Sequence, residues 1–236
     1  MSETASGGPS RRTTSCEVVI PCRDEALALP IVFAGLPDGF DVIVVDNGSS
    51  DGTADVARLF GATVVHEAVA GYGAAVHAGV VAASAEYVAV LDGDGSMDAG
   101  ALTPMLGIVQ RGEATMAVGR RRPVARGIWP WHARVGTAAL AWLIRRGSSF
   151  TIHDLAPMRV CRRRDLLDLG IEDRRFGYPL ELMRKASAAG WTVREIDIDY
   201  RERAKGTKSK VSGSLRGTTR TIVDFAKVMF GSRVAK

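Results

Sequence analysis

Tyr87-Val88-Ala89-Val90-Leu91-Asp92-Gly93-Asp94-Gly95-Ser96-Met97-Asp98 opens as a continuous apolar run and closes on carboxylates interleaved with glycines. The run has the length of a buried strand, and its β-branched valines favour strand over helix. Two carboxylates two residues apart at the carboxyl end of a central strand repel each other unless a cation lies between them. That edge is also where an open α/β sheet holds its ligands. Oxygen-only donors suit Mg2+ or Mn2+, ions that take their remaining ligands from phosphates and water. The stretch reads as a metal and diphosphate site, against the plainer reading of an Asp-Gly turn on a surface loop.

Outward from this stretch, short strands alternate with helices. Strands are expected over 17–21, 41–46, 62–66, 86–91 and 114–118, the first stopped by Pro21, which cannot continue a central ladder. A helix is expected to open at Cys22-Arg23-Asp24-Glu25, with acidic residues in the first turn where the dipole favours them. Further helices follow over 54–60, 74–83 and 99–110, the second built of residues small enough to pack closely on a sheet. The alternation predicts an α/β fold, a mostly parallel, doubly wound sheet with helices on both faces. Past Gly119 the texture changes to Arg120-Arg121-Arg122-Pro123 and Ile128-Trp129-Pro130-Trp131. Beyond lie a helix over 132–146, an edge strand over 156–160, a helix over 179–189 and an alternating strand over 191–200. A basic loop over 201–210 and an amphipathic helix over 215–230 complete the chain.

The 236 residues suit one large domain, 15–236, behind a disordered lead-in over 1–14. The net charge of +5 favours anionic partners without naming which. Cys16, Cys22 and Cys161 are odd in number and lack Cys-x-x-Cys spacing, which argues against disulfides or zinc and for a reducing compartment. The lead-in has no apolar core of a signal peptide. No run approaches the roughly 20 apolar residues of a membrane span. A cytoplasmic protein, peripheral on the inner face of a membrane, is expected. His66, His77, His132 and His153 show no ligand spacing. Arg120-Arg121-Arg122 lacks the aromatic interleaving of a nucleic-acid module, so no nucleic-acid partner is expected. Trp129 and Trp131, beside an apolar helix with basic ends, read equally as interfacial anchors or as core aromatics.

In a parallel sheet the carboxyl ends of the strands lie together, so 21–25, 46–51 and 92–94 should share one crevice. There Asp46 can accept hydrogen bonds from a ribose or a base. In order along the chain stand Ile20-Pro21-x-Arg23-x-Glu25, Val44-Val45-Asp46-x-Gly48-Ser49-Ser50-Asp51-Gly52-Thr53, Gly71-x-Gly73-Ala74-Ala75-x-x-x-Gly79, Leu91-Asp92-Gly93-Asp94 and Val118-Gly119-Arg120-Arg121. With these motifs the chain resembles the family 2 glycosyltransferases of GT-A fold. Asp154 to Arg159, Phe176-Gly177-Tyr178-Pro179-Leu180-Glu181 and Tyr200-x-x-Arg203-x-x-Gly206-x-x-Ser209-Lys210 extend the likeness to the polyprenyl-phosphate (dolichyl-phosphate-type) mannosyl or glucosyl synthases. The resemblance covers about 17–214.

The resemblance implies a Rossmann-like GT-A fold in which 15–122 binds a nucleotide sugar and 123–236 is a C-terminal extension on the acceptor side. It implies inverting transfer of a hexose from GDP-mannose or UDP-glucose to a polyprenyl phosphate at a membrane surface, with Mg2+ or Mn2+. A membrane-protein partner or a homo-oligomer is compatible with it. By the same resemblance Pro21, Arg23, Glu25, Val44 and Asp46 hold the nucleoside, and Asp92, Gly93 and Asp94 stand at the diphosphate. Asp94, Asp92 and Ser96 would ligate the metal, and Arg121, Arg203 and Lys210 would neutralise phosphates. Arg134 and Arg159 would meet the acceptor phosphate. The sequence departs from the family pattern at Asn47, where many relatives carry a second Asp, and at Ser96, where Gln is commoner. The basic loop is one residue longer than usual, so Lys208 is an alternative to Lys210, and 154–159 lacks the usual Gly.

Relatives that glycosylate hydroxyl groups need a general base, often in a helix-borne Glu-Asp; here Glu181 is followed by Leu182. A phosphate monoester already carries about −1.5 to −2 charges at neutral pH. It can attack the anomeric carbon without a base if cations hold it in line. This favours a phosphate acceptor, with a soluble acceptor as the alternative. A sugar-phosphate nucleotidyltransferase would need a Gly-rich basic loop where Pro21-Cys22-Arg23-Asp24-Glu25 stands.

Overall fold

In the computed structural model, which describes residues 15–155 and 157–204, β1 (Cys16–Cys22) and β4 (Tyr87–Val90) run parallel at the middle of a seven-stranded sheet. The lead-in, most of the basic loop with Lys208 and Lys210, and the final helix lie outside the described residues. β2 (Phe40–Asp46) and β3 (Thr63–His66) extend the sheet in parallel from β1. On the other flank β6 (Arg159–Arg162) pairs antiparallel with both β4 and β5 (Met116–Pro123), and β7 (Val193–Tyr200) pairs parallel with β5 along its whole length. The order is β3-β2-β1-β4-β6-β5-β7, a mostly parallel, mixed α/β sheet.

Both faces are buried, which is why the strands read as continuous apolar runs. Val18, Ile20 and Ala89 point into one core, under α1 (Leu29–Gly35), α2 (Thr53–Leu59) and α4 (Leu102–Gln110). Val19, Val88 and Val90 point into the other, under α3 (Tyr72–Ala82), α5 (Trp131–Gly147), α6 (Arg163–Asp168) and α7 (Tyr178–Ala188). The small residues of α3 let it approach β1 and β2 closely. A Cβ added at Gly79 would stand 2.3 Å from Val19 Cγ1 and 2.9 Å from Val45 Cγ2. Gly79→Ala is therefore expected to cost about 1–3 kcal/mol in urea unfolding, as overpacking of a filled core does. A melting curve unchanged from wild type would contradict this packing.

Three sequence expectations are corrected. Pro21 does not stop β1 but pairs with Val45. The carbonyl of Val19 accepts from Leu91 N–H, so two residues on the missing proline N–H faces the β4 side, where strand pairing has ended at Val90. The helix expected from Cys22 begins only at Leu29, because 23–26 are laced to the next strand-end loop and Asp24 holds φ at 54°. The expected edge strand is β6, an interior strand, while β7 takes the edge. An arginine at each end makes β6 look exposed in sequence, yet Arg159 is buried. Among the described residues no helix is long and apolar enough to cross a membrane.

Candidate active site

The carboxyl ends of β1, β2 and β4 meet, and side chains from their loops tie them together. Asp24 N–H donates to Ser49 Oγ at 3.0 Å, Ser50 N–H to Asp24 Oδ1 at 2.8 Å and Ala26 N–H to Asp51 Oδ2 at 3.0 Å. Glu25 N–H donates to Thr53 Oγ1 at 2.9 Å, and Asn47 N–H to Cys22 O at 2.9 Å. Gly93 packs against the end of β1, where an added Cβ would come 2.6 Å from Cys22 Sγ. Of the residues expected at a nucleoside, Arg23 is exposed, Pro21 half-buried, and Glu25 and Asp46 buried. Val44 departs from the expectation: its side chain is wholly buried in the core with Ile20 and Cys22 and offers a nucleoside no exposed surface.

Asp46 is held from two sides. Ser49 N–H donates to its Oδ1 at 3.0 Å, and His66 Nδ1 lies 3.2 Å from its Oδ2. An amino group of Arg58 lies 3.0 Å from His66 Nε2. Arginine can only donate, so Nε2 accepts and Nδ1 carries the proton given to Asp46. Each Asp46 oxygen thus keeps acceptor capacity on the ligand side. Asn47 faces away from that role: its amide donates to the carbonyls of Glu67 and Val69 and accepts from Gly71 N–H, each at 2.8 Å. The Gly71-x-Gly73 turn likewise serves packing, since Gly73 and Ala74 N–H donate to the carbonyls of Arg175 and Arg174.

The acidic loop is pinned by the chain leaving β7. Arg203 Nε stands 3.1 Å from Asp94 Oδ2, Ala204 N–H donates to Asp94 O at 3.1 Å, and Arg201 N–H to Ser96 O at 2.7 Å. Ser96 is buried, and its N–H donates to Asp94 Oδ1 at 2.9 Å. Asp94 is thereby fixed at both oxygens. Burial, reinforced by the neighbouring Asp94 carboxylate, lifts the Asp92 carboxyl to about 6, while Arg203, Arg121 and Arg159 pull it back down. The acidic pair and three arginines from β5, β6 and the segment after β7 therefore share one electrostatic neighbourhood.

Arg121 lies on β5, paired with Ile198 of β7. Its Nε and one amino group grip Asp154 at 2.8 and 2.7 Å, and its own N–H donates to the same carboxylate at 3.0 Å. Glu195 in turn accepts from the N–H groups of His153 and Asp154, holding that loop to β7. Trp129 covers the guanidinium at 4.2 Å and Tyr200 lies 5.5 Å from it. A two-pronged grip leaves three of the five N–H donors of a guanidinium for other partners. Asp154, Glu195, Trp129 and His66 are site residues that the sequence does not assign; Asp154 has a signal as the first residue of the 154–159 motif, and Trp129 one only as an anchor or core aromatic.

Arg159 corrects a second expectation. It is 1% exposed, its guanidinium lies 5.9 and 5.5 Å from the rings of Tyr72 and Tyr178, and it donates to Tyr72 Oη at 3.3 Å. Covered this way, it has almost no surface to offer an acceptor phosphate, and its charge helps hold the Asp92 carboxyl down. Burial pushes the Tyr72 phenol up to about 12 despite this arginine. Arg134 is exposed on α5. Glu181 accepts from the N–H groups of Glu172 and Asp173 and pairs with Lys185 at 2.8 Å. Burial works against its charge, but these donors hold the carboxyl below its usual value. It is a turn cap, not a poised base.

Residues 17–167 match the model of glycosyl transferase family 2. An uncharacterized glycosyltransferase of Mycobacterium tuberculosis is 55% identical over 212 residues, which span 90% of this chain and 96% of that one. A dolichyl-phosphate hexose transferase of Haloferax volcanii is 32% identical, over 81% of this chain and 85% of that protein. The fold is similar to glucosyl-3-phosphoglycerate synthase of M. tuberculosis, solved with Mn2+, uridine diphosphate and glucosyl-3-phosphoglycerate, at TM-score 0.68 and 19% identity over 92% of this chain and 79% of that one. The acidic loop at the strand ends, the sheet that carries it and these relatives agree: the chain belongs to glycosyl transferase family 2 and has the GT-A fold.

Proposed function

We propose that the protein transfers a hexose, with inversion, from a nucleotide sugar to a polyprenyl phosphate. The observation that carries this reading is the charge pattern around Asp92 and Asp94. Arg203, Arg121 and Arg159 surround two carboxylates, while Glu181, the carboxylate nearest in sequence to a base position, is spent on backbone amides. Such a site suits an acceptor that arrives already anionic. The name of the H. volcanii relative supports a lipid phosphate. A soluble phosphorylated acceptor is the second reading, favoured by the glucosyl-3-phosphoglycerate bound in the structural neighbour.

The donor set fits a divalent cation. Asp92 and Asp94 offer oxygen only, the choice that suits Mg2+ or Mn2+. The upward pull of Asp94 on Asp92 is a repulsion that a divalent ion between or beside them would relieve. Asp94 is the better ligand, since Ser96 N–H and Arg203 already orient it. Ser96 contributes through its backbone. Structures of the M. tuberculosis synthase contain Mn2+ or Mg2+ with uridine diphosphate. When bound, such an ion supplies Lewis-acid neutralisation of the leaving diphosphate.

The chain's own residues do the rest. Asp46 accepts hydrogen bonds from the nucleoside, kept in place by Ser49 and His66. Arg203 and the remaining donors of Arg121 make charge-assisted hydrogen bonds to phosphate oxygens. Arg159, buried beside Tyr72 and Tyr178, adds a smaller share than Arg203 and Arg121 to the positive charge that offsets the repulsion at Asp92. Arg134 would steer the acceptor phosphate, and Lys210 or Lys208 would add to the cations on the donor. With the acceptor phosphate oxygen held in line, one bond forms to the anomeric carbon as the bond to the nucleoside diphosphate breaks, which inverts the centre.

A thermal-shift panel of GDP-, UDP- and dTDP-sugars with Mn2+ or Mg2+ identifies the donor. The true donor at 100 times its dissociation constant adds ~2.7 kcal/mol. For a domain of this size that is roughly 5–10 °C. The same donor, radiolabelled, is then offered with polyprenyl phosphate or with phosphoglyceric acid. Label in the organic phase, lost with EDTA, is the expected result. Label only in a water-soluble product would overturn the lipid acceptor.

A further inference from the structure

The two tryptophans that flank Pro130 part company in the structure. Trp129 turns inward and covers the Arg121 guanidinium at 4.2 Å. Trp131 opens α5 and is 75% exposed, and Trp142, eleven residues on, is 47% exposed. At 100° per residue Trp131, Val135, Ala138 and Trp142 fall on one stripe, and all four are exposed. Ala141 and Ile144 on another side of the helix are buried. The stripe is rimmed by Arg134 and Arg146, both exposed, and Arg146 lies 4.6 Å over the ring of Trp142. Exposed Val124 and Arg126 precede the helix. No Asp or Glu stands between Glu113 and Asp154, a stretch that carries Arg120, Arg121, Arg122, Arg126, Arg134, Arg145 and Arg146.

We infer that this stripe of α5 docks the protein on an anionic lipid surface. An exposed apolar band with paired tryptophans belongs at the boundary between headgroups and acyl chains. Its arginine rim complements anionic headgroups, which attract basic residues held close to such a surface. A second copy of this chain would bring like-charged rims together, and a nucleic acid offers no apolar surface for Val135. Docked in this way, the helix start carries Trp129, and with it Arg121, to the level of the headgroup phosphates. The link to catalysis rests on the lipid-phosphate reading above; the docking does not.

The test is co-sedimentation of the full chain with vesicles of phosphatidylcholine alone or mixed with phosphatidylglycerol, at low and high salt. The wild type should bind the anionic vesicles and release them as salt rises. Trp131→Ala with Trp142→Ala should weaken that binding by about tenfold or more. Arg134→Gln with Arg146→Gln should remove the preference for anionic over neutral vesicles. The donor-induced thermal shift, retained in these variants, shows that the fold and donor pocket persist. Undiminished vesicle binding by the tryptophan variant, or equal binding to neutral vesicles by the wild type, overturns the inference. So does tighter binding to duplex DNA than to anionic vesicles. A protein that docks but transfers nothing to polyprenyl phosphate sinks the acceptor reading and leaves docking standing; one that transfers in detergent but never docks does the reverse.

Discussion

Asp94→Ala is expected to lower turnover by about a thousandfold or more, the rate equivalent of the several kcal/mol a Lewis acid contributes to a leaving group. The effect should be on kcat, and the metal-dependent part of the donor's thermal shift should vanish with it. Folding should suffer little. Arg203, which faces Asp94 at 3.1 Å, is partly exposed and can turn to water, and Ser96 N–H loses one acceptor. That leaves a cost of about 1–2 kcal/mol. Asp94→Asn separates the two consequences, because its amide oxygen still accepts from Ser96 while the charge is gone. It should melt near the wild type and be nearly as inactive as alanine. Turnover within tenfold of wild type in both variants would exclude Asp94 from the chemistry.

Asp154→Ala carries the largest expected stability loss. The carboxylate is 2% exposed as a side chain and accepts from Arg121 Nε, an Arg121 amino group, Arg121 N–H and Leu155 N–H. Removing it strands the Arg121 guanidinium, whose side chain is only 17% exposed, beneath Trp129. Breaking one partner of a buried pair costs about 3–5 kcal/mol. In a domain of this size that is roughly 6–20 °C in melting temperature. Donor turnover should fall as well, since Arg121 loses the grip that aims its remaining donors. The double variant Asp154→Leu with Arg121→Met distinguishes these effects. Replacing a buried pair by apolar groups of similar volume is often neutral for stability. It should recover most of the melting temperature and remain impaired in transfer. Recovery of both would make Arg121 a purely structural cation.

The corrections share a physical origin. β6 is interior although an arginine opens it, and nothing local to Arg159 announces that Tyr72, 87 residues away, will shelter its charge. The helix expected from Cys22 failed because acidic residues suited to a first turn were recruited by a loop 25 to 26 residues downstream. Pro21 sits within β1 because its neighbour β4 is shorter, a fact about a strand elsewhere in the chain.

The sequence by itself determined the alternation of strands and helices, the acidic turn at Asp92-Gly93-Asp94 and the convergence of three strand ends. Each of these is written in local pattern, since a strand buried on both faces must be apolar throughout and a strand-end turn must be rich in Gly, Asp and Ser. Only the tertiary structure decided how the charges are employed: Arg203 on Asp94, Arg121 on Asp154 across 33 residues, His66 on Asp46 across 20, and Glu181 on a turn. It also turned Trp129 inward and Trp131 outward, though one proline separates them. A charged or aromatic side chain takes its partner from whatever the fold brings near, and that proximity has no period along the chain.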